Sequence, residues 1–294
     1  MKFKSRHPVY EHLRKKWIAK QKGASEKFLQ THGDTLKKLT VGGLGGLMLM
    51  TSPGLSSSVG GDNLQPGQSI TKVEDKNRLL ADNLKGVMPG EVRKLTVDEE
   101  EKITQVLTDN LGFKVSAQLE GIKLNRNYGL IGGEQHLYRY PGDILQKHAD
   151  NSADWAMYGS SGIAPGLGAW GYFTSSQLSF TATDKERERY YLAIQTFLTP
   201  GFAENFAKYR DFFKFRKMVV VNPQTGQSVV AVVGDAGPAE WTGKHLGGSP
   251  EVMHYLGLAG GPRKGPVLYF FIDDPNNVVP LGPVSIGSMF LAQK

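Results

Sequence analysis

Hydrophobic positions repeat with two different periods along the chain. From Thr96 the period is helical: Ile103, Val106, Leu107 and Leu111 fall at i, i+3, i+4 and i+8, one apolar stripe. Thr96 with Glu99 three residues on makes a capping box. Asp98, Glu99, Glu100 and Glu101 load the first turn with the negative charge that a helix dipole favours there, and Gly112 is a natural stop. Upstream, residues 59–95 are polar and broken by Gly60-Gly61, Pro66-Gly67 and Pro89-Gly90, which predicts a linker with one short helix near Lys76–Leu84. Downstream, Phe113–Leu124 alternates loosely and predicts one or two strands.

Past residue 152 the pattern changes to short apolar runs with frequent turns. Two β-branched runs, Met218–Val221 and Val229–Val233, flank the turn Asn222-Pro223-Gln224-Thr225-Gly226, a hairpin. Runs with no polar alternation suit strands buried on both sides, as in a small closed barrel. Ser249 as N-cap, Pro250 at N1 and Gly257 as stop predict a short helix. Gly265–Asp273 predicts a last strand. Thr183–Leu198 is ambiguous, with a charged start that suits a helix and a Tyr190–Phe197 run that suits a strand.

Charge is unevenly placed. The chain has 35 Lys+Arg and 28 Asp+Glu, yet residues 1–38 hold 11 of the bases and only 3 of the acids. The remainder is near neutral, so net charge gives no case for nucleic-acid binding. The basic block is followed by the uncharged, glycine-rich apolar stretch Leu39–Met50 and the small, turn-prone run Thr51–Ser58. That order predicts an export signal or membrane anchor over residues 1–58, with the rest of the chain in the cell envelope or outside the cell. A basic amphipathic tail with a flexible linker is the alternative. Zero cysteine excludes disulfides, thiolate metal sites, cysteine nucleophiles and lipidation on cysteine.

The stretch Val219–Pro238, with Thr242-Gly243-Lys244, Ser249-Pro250 and Leu256-Gly257, resembles the double-psi β-barrel of the rare lipoprotein A and expansin-like families. Trp155–Gly159 is weakly similar to the motif that opens their barrel. The resemblance implies a six-stranded double-psi barrel over residues 152–275; with the helix–strand region read above over 96–151 and a tail over 276–294, the expected fold is mainly β with α elaboration. It implies a cell-envelope protein that cleaves, loosens or binds cell-wall glycan. One departure matters. The second acidic position of the family pattern is Gly247 here, while the first survives as Asp235.

Glycosidic cleavage needs a carboxylic acid to protonate the leaving oxygen, and hydrolysis normally needs a second carboxylate. A lytic transglycosylase manages with one acid–base, because a hydroxyl of the substrate itself attacks. Asp235 is the leading candidate, and Glu240 and His245 are the other catalytic candidates. Glu134, His136 and His245 are the residues to examine where the missing acid would have stood. Glu134, His136, Arg139 and Asp143 crowd into ten residues bracketed by glycines, which reads as a loop at a site or as a structural loop with an Arg139–Asp143 pair. Trp170, Tyr172 and Trp241 offer faces on which sugar rings stack, or serve as rim packing. No HExxH or His-x-His spacing occurs in this loop, and Gly159–Gly168 lacks the P-loop Lys and the third glycine of a dinucleotide fingerprint, so no metal or cofactor is expected. The expected function is engagement of cell-wall glycan, either as a binding or remodelling module or as a weak lytic transglycosylase through Asp235. The alternative is a non-catalytic structural or protein-interaction module.

Overall fold

The computed structural model describes residues 67–284, with side chains from residue 74. Helices α1 (Gly67–Lys85) and α2 (Val97–Leu111) come first. The short strands β1 (Val115–Ser116), β2 (Gln118–Leu119), β3 (Ile122–Lys123) and the longer β4 (Tyr128–Gly133) follow. A long irregular segment carries α3 (Ser152–Tyr158) and ends in α4 (Ala182–Arg189). Then come β5 (Tyr191–Ile194), α5 (Phe206–Phe213), β6 (Lys217–Val221), β7 (Ser228–Ala236), β8 (Leu246–Gly248), α6 (Pro250–Tyr255), β9 (Lys264–Ile272) and β10 (Gly282–Pro283). The export signal expected over residues 1–58 lies outside the described residues. Among the described residues, no helix is long and apolar enough to cross a membrane.

Six strands close into a barrel in the order β9-β4-β8-β5-β7-β6 and back to β9. Pairs β4–β8 and β5–β7 are parallel, and the other four are antiparallel. This closed, mixed topology is compatible with a double-psi barrel. β1 extends the outside of β9, and β10 extends β7.

Closure explains the unalternating apolar runs. Met218, Val220, Val229, Ala231, Val233, Leu246, Val267, Tyr269 and Phe271 pack together as one cluster. Their sequence neighbours Val219, Val221, Val230, Leu268 and Phe270 join Leu80, Leu84, Ile103, Leu107 and Leu111 of α1 and α2 in a second. Strand residues alternate between faces, so the first cluster fills the barrel and the second is its helix-covered outer wall. Each fully buried aliphatic side chain contributes about 1.5–3 kcal/mol of transfer free energy.

Local signals act as their chemistry requires. Thr96 and Glu99 form the capping box, and Gly112 ends α2 at φ 78°, donating its N–H to Thr108 O. Ser249 Oγ accepts from Val252 N at the start of α6. The ambiguous 183–198 segment is both things in turn, helix through Arg189 and strand from Tyr191.

Three boundaries differ from expectation. The short helix expected near Lys76–Leu84 is the longer α1, and it is more than part of a linker, since its Leu80 and Leu84 are completely buried against the barrel wall. The barrel takes its first strand, β4, from the region assigned to the elaboration before it, so its strands run from Tyr128 to Ile272. Trp155–Gly159 opens no strand, because Asn151 caps it as helix α3.

Candidate functional site

Asp235 stands near the end of β7. Its Oδ1 accepts the backbone N–H groups of Ala169 at 2.6 Å and Ala236 at 2.7 Å. Its Oδ2 has no hydrogen-bond partner among the described residues. Burial raises the carboxyl above the usual aspartate range, and the two N–H groups oppose that shift without cancelling it. The loop that delivers Ala169 is pinned by Trp170, whose Nε1 donates to Val233 O. Gly168 lets this loop approach, since a Cβ there would lie 3.3 Å from Asp235 Cγ.

Strand register sets what faces Asp235. Ala193 of β5 pairs with Asp235 on one side and with Gly247 of β8 on the other, and Gly247 pairs with Gly132 of β4. These four positions form one row across the outer wall. At about 4.8 Å per strand, Asp235 and Gly247 are roughly 10 Å apart along that row.

Gly132 and Gly247 leave the row without side chains, and a charged pair fills the space. A Cβ on Gly247 would lie 2.6 Å from Glu134 Cδ and closer still to Cγ and Oε1. A Cβ on Gly132 would lie 3.1 Å from Lys244 Cγ. Lys244 Nζ and Glu134 Oε1 are 2.8 Å apart, with both side chains partly exposed. The Glu134 N–H donates to Gly248 O, which fixes the backbone from which the carboxylate leans. Glu134 thus occupies the space into which a side chain at position 247 would project.

The other candidates are dispersed. His245 Nδ1 accepts the Leu130 N–H at 2.9 Å, and the ring faces a small cleft with Arg126, Gln195 and Tyr269. Burial and the charges of Arg126 and Lys264 push its pKa down, favouring neutral imidazole. Glu240 is exposed beside Trp241, which is 85% exposed. Tyr172 is partly exposed, and Trp170 packs against the barrel core. An open groove of about 410 Å³ beside Arg187, Phe215 and Lys217 is lined by none of the candidates.

His136 is buried in an ionic cluster beneath the loop that begins at Glu134. The anticipated Arg139–Asp143 pair forms there through two bonds of 2.8 Å each. His148 Nε2 meets Asp143 Oδ2 at 3.0 Å, and His148 Nδ1 meets Glu188 Oε2 at 3.1 Å. His136 Nδ1 lies 3.3 Å from Glu188 Oε1, which also accepts the Leu137 N–H at 3.0 Å. Although burial opposes it, hydrogen bonds donated to the two carboxylates hold His148 as imidazolium, with its pKa pushed up to about 9. The cluster fastens the 134–148 loop to α4.

Sequence reasoning missed Glu188, His148 and Lys244. Glu188 lies in the run Asp-Lys-Glu-Arg-Glu-Arg, where every side chain reads as solvated, and only the fold buries it. Lys244 had a faint signal, since it closes the Thr242-Gly243-Lys244 stretch of the resemblance, two residues before β8 begins. No protein-family model, curated protein or solved structure matches the chain.

Proposed function

We propose that the barrel engages cell-wall glycan on the wall that carries Asp235 and Glu134, with Asp235 as the acid–base of a lytic transglycosylase reaction. The observation that carries the reading is the asymmetry of Asp235. One carboxyl oxygen is held by two backbone N–H groups, the other has no partner among the described residues, and burial favours the protonated form. A carboxylic acid of this kind donates a proton to a glycosidic oxygen. The substrate's own hydroxyl then attacks the anomeric carbon and returns its proton to Asp235, so no external nucleophile is needed.

Glu134 supports the reading as a second carboxylate on the same row, where the family pattern has its second acid and this chain has Gly247. It pairs with Lys244, and its role in this reading is to stabilise positive charge at the anomeric carbon. The resemblance of residues 219–257 to the double-psi barrels of rare lipoprotein A and expansins, and the signal-like N-terminus, place the reading in the cell envelope. Full-length protein incubated with insoluble peptidoglycan is expected to bind it and release anhydro-sugar fragments detectable by mass spectrometry. Asp235→Asn keeps the Oδ1 acceptor and should retain binding while release falls at least 100-fold. Unchanged release by the variant removes Asp235 from the mechanism.

One observation favours a second reading. Asp235 accepting the N–H of the following residue is also how an aspartate stabilises a turn. Binding without release by the wild-type protein is the outcome that selects this non-catalytic role.

A further inference from the structure

The cluster beneath the 134–148 loop has a feature that an ion-pair network does not require. Two imidazoles turn the same nitrogen, Nδ1, onto opposite oxygens of one carboxylate, Glu188. Their rings lie 4.7 Å apart at 49°, close enough that two protonated rings would repel. One ligand atom from each of His136, His148 and Glu188 falls within a set whose members are all within 4.8 Å of one another, and all three residues are buried.

Those spacings fit a shared cation. Zinc bonds to nitrogen and oxygen run about 2.0–2.2 Å, which puts neighbouring ligand atoms of a tetrahedron roughly 3.3 Å apart. The observed His136–Glu188 and His148–Glu188 separations are 3.3 and 3.1 Å. The first is long for a charge-assisted hydrogen bond. The outer support is present too. His148 offers its far nitrogen, Nε2, to Asp143, and Asp143 is gripped by Arg139 through two side-chain bonds and a backbone N–H. A carboxylate behind a ligating histidine fixes its tautomer and its aim.

We propose that His136, His148 and Glu188 form a binding site for a divalent first-row transition-metal ion of the zinc type, with Asp143 and Arg139 as its outer support. Two imidazoles and one carboxylate are a zinc-type donor set, and hard cations such as magnesium prefer all-oxygen sites. The ion displaces the Nδ1 proton of His148 to solvent, takes the space between the three ligand atoms and ties the 134–148 loop to α4 more firmly than hydrogen bonds alone. The inference stands apart from the carbohydrate reading, because it needs no substrate and no activity.

The test uses the full-length protein stripped with EDTA. On zinc titration it should take up one equivalent per chain by elemental analysis, with a higher melting temperature that magnesium does not reproduce. Hydrogen exchange should slow across residues 134–148 and 182–189. Cobalt(II) in place of zinc should give the visible absorption of a low-symmetry nitrogen–oxygen site. His136→Gln and Glu188→Gln should each weaken zinc binding by 10-fold or more. Folded wild-type protein that takes up no stoichiometric zinc overturns the proposal, as does uptake that both variants leave unchanged. If a variant does not fold, the wild-type exchange pattern decides, and zinc-dependent protection absent from both segments is a refutation.

Discussion

A methyl group placed on Gly247 tests how the outer wall is built. In Gly247→Ala the new Cβ would stand 2.6 Å from Glu134 Cδ, where two carbons need about 3.5–4.0 Å. Glu134 must swing away, and overpacking of this kind costs about 1–3 kcal/mol. Its departure also breaks the ion pair with Lys244, worth about 0.2–1 kcal/mol for side chains that are 23% and 28% exposed. One contribution opposes these. Gly247 is not among the positive-φ glycines, so alanine fits its backbone and stabilises by about 0.4–1 kcal/mol through the unfolded chain. The net expectation is a loss of about 1–2 kcal/mol. In a Glu134→Ala background the clash and the pair are already gone, so the sign should reverse and Gly247→Ala should be neutral or stabilising. Urea denaturation of the four proteins gives the coupling, expected at about 1–3 kcal/mol. Coupling below the roughly 0.5 kcal/mol seen for independent sites would refute the claim that Glu134 fills the space above Gly247.

Two other perturbations address the fold. Glu251 is buried with Oε2 unpartnered, and burial and then Glu188 raise its pKa from 4.5 to about 8. Between those values the native state keeps a proton that the unfolded chain has lost, so its presence lowers stability as pH rises from 4.5 to about 8 and costs no more beyond that. Glu251→Gln should match the wild type at pH 4.5 and exceed it by up to about 4 kcal/mol at pH 8; parallel melting temperatures across that range would contradict the assignment. Leu107→Ala, at a fully buried position where α2 meets the barrel wall, should cost about 2–5 kcal/mol in chemical denaturation with the folded circular dichroism spectrum retained.

What the sequence reveals follows the range of the interactions involved. The α2 capping box, the β6–β7 hairpin and the α6 cap are each decided within a few residues, so local chemistry reports them. The doubly apolar runs reveal strands covered on both sides, though not that α1 helps to cover them. Among the described residues of α1 only Leu80 and Leu84 are completely buried, too short a repeat to stand out from its polar flanks. β4 escapes for the opposite reason. Half of Tyr-Gly-Leu-Ile-Gly-Gly is glycine, which reads as a turn, but the glycines make room for His245 and Lys244. The candidate site was half legible. Asp235 could be singled out because it sits in a contiguous motif. The partnership of Glu134 with the Gly247 vacancy joins residues that only the parallel β4–β8 pairing brings together. Glu188 is separated from His136 and His148 by 52 and 40 positions, and no short motif spans such gaps.

The two faces of the barrel divide the labour. The wall formed by β6, β9 and the first half of β7 is sealed by apolar side chains of α1 and α2. The opposite wall, along the Asp235–Ala193–Gly247–Gly132 row, is covered by a charged pair and by loops. Charged cover is a poor choice for stability alone, since a part-exposed ion pair contributes less than the apolar side chains it displaces. What it provides is position. Glu134 is held by its own backbone bond to β8, by Lys244 across the row, and by the buried cluster that anchors the chain immediately after it. Asp235 is held by a separate loop through Ala169 and Trp170. Two carboxylates fixed by independent supports on a row with few side chains of its own suit the proposed glycan chemistry, which needs one acid–base and gains from a second charge, and a sealed apolar wall would not supply them.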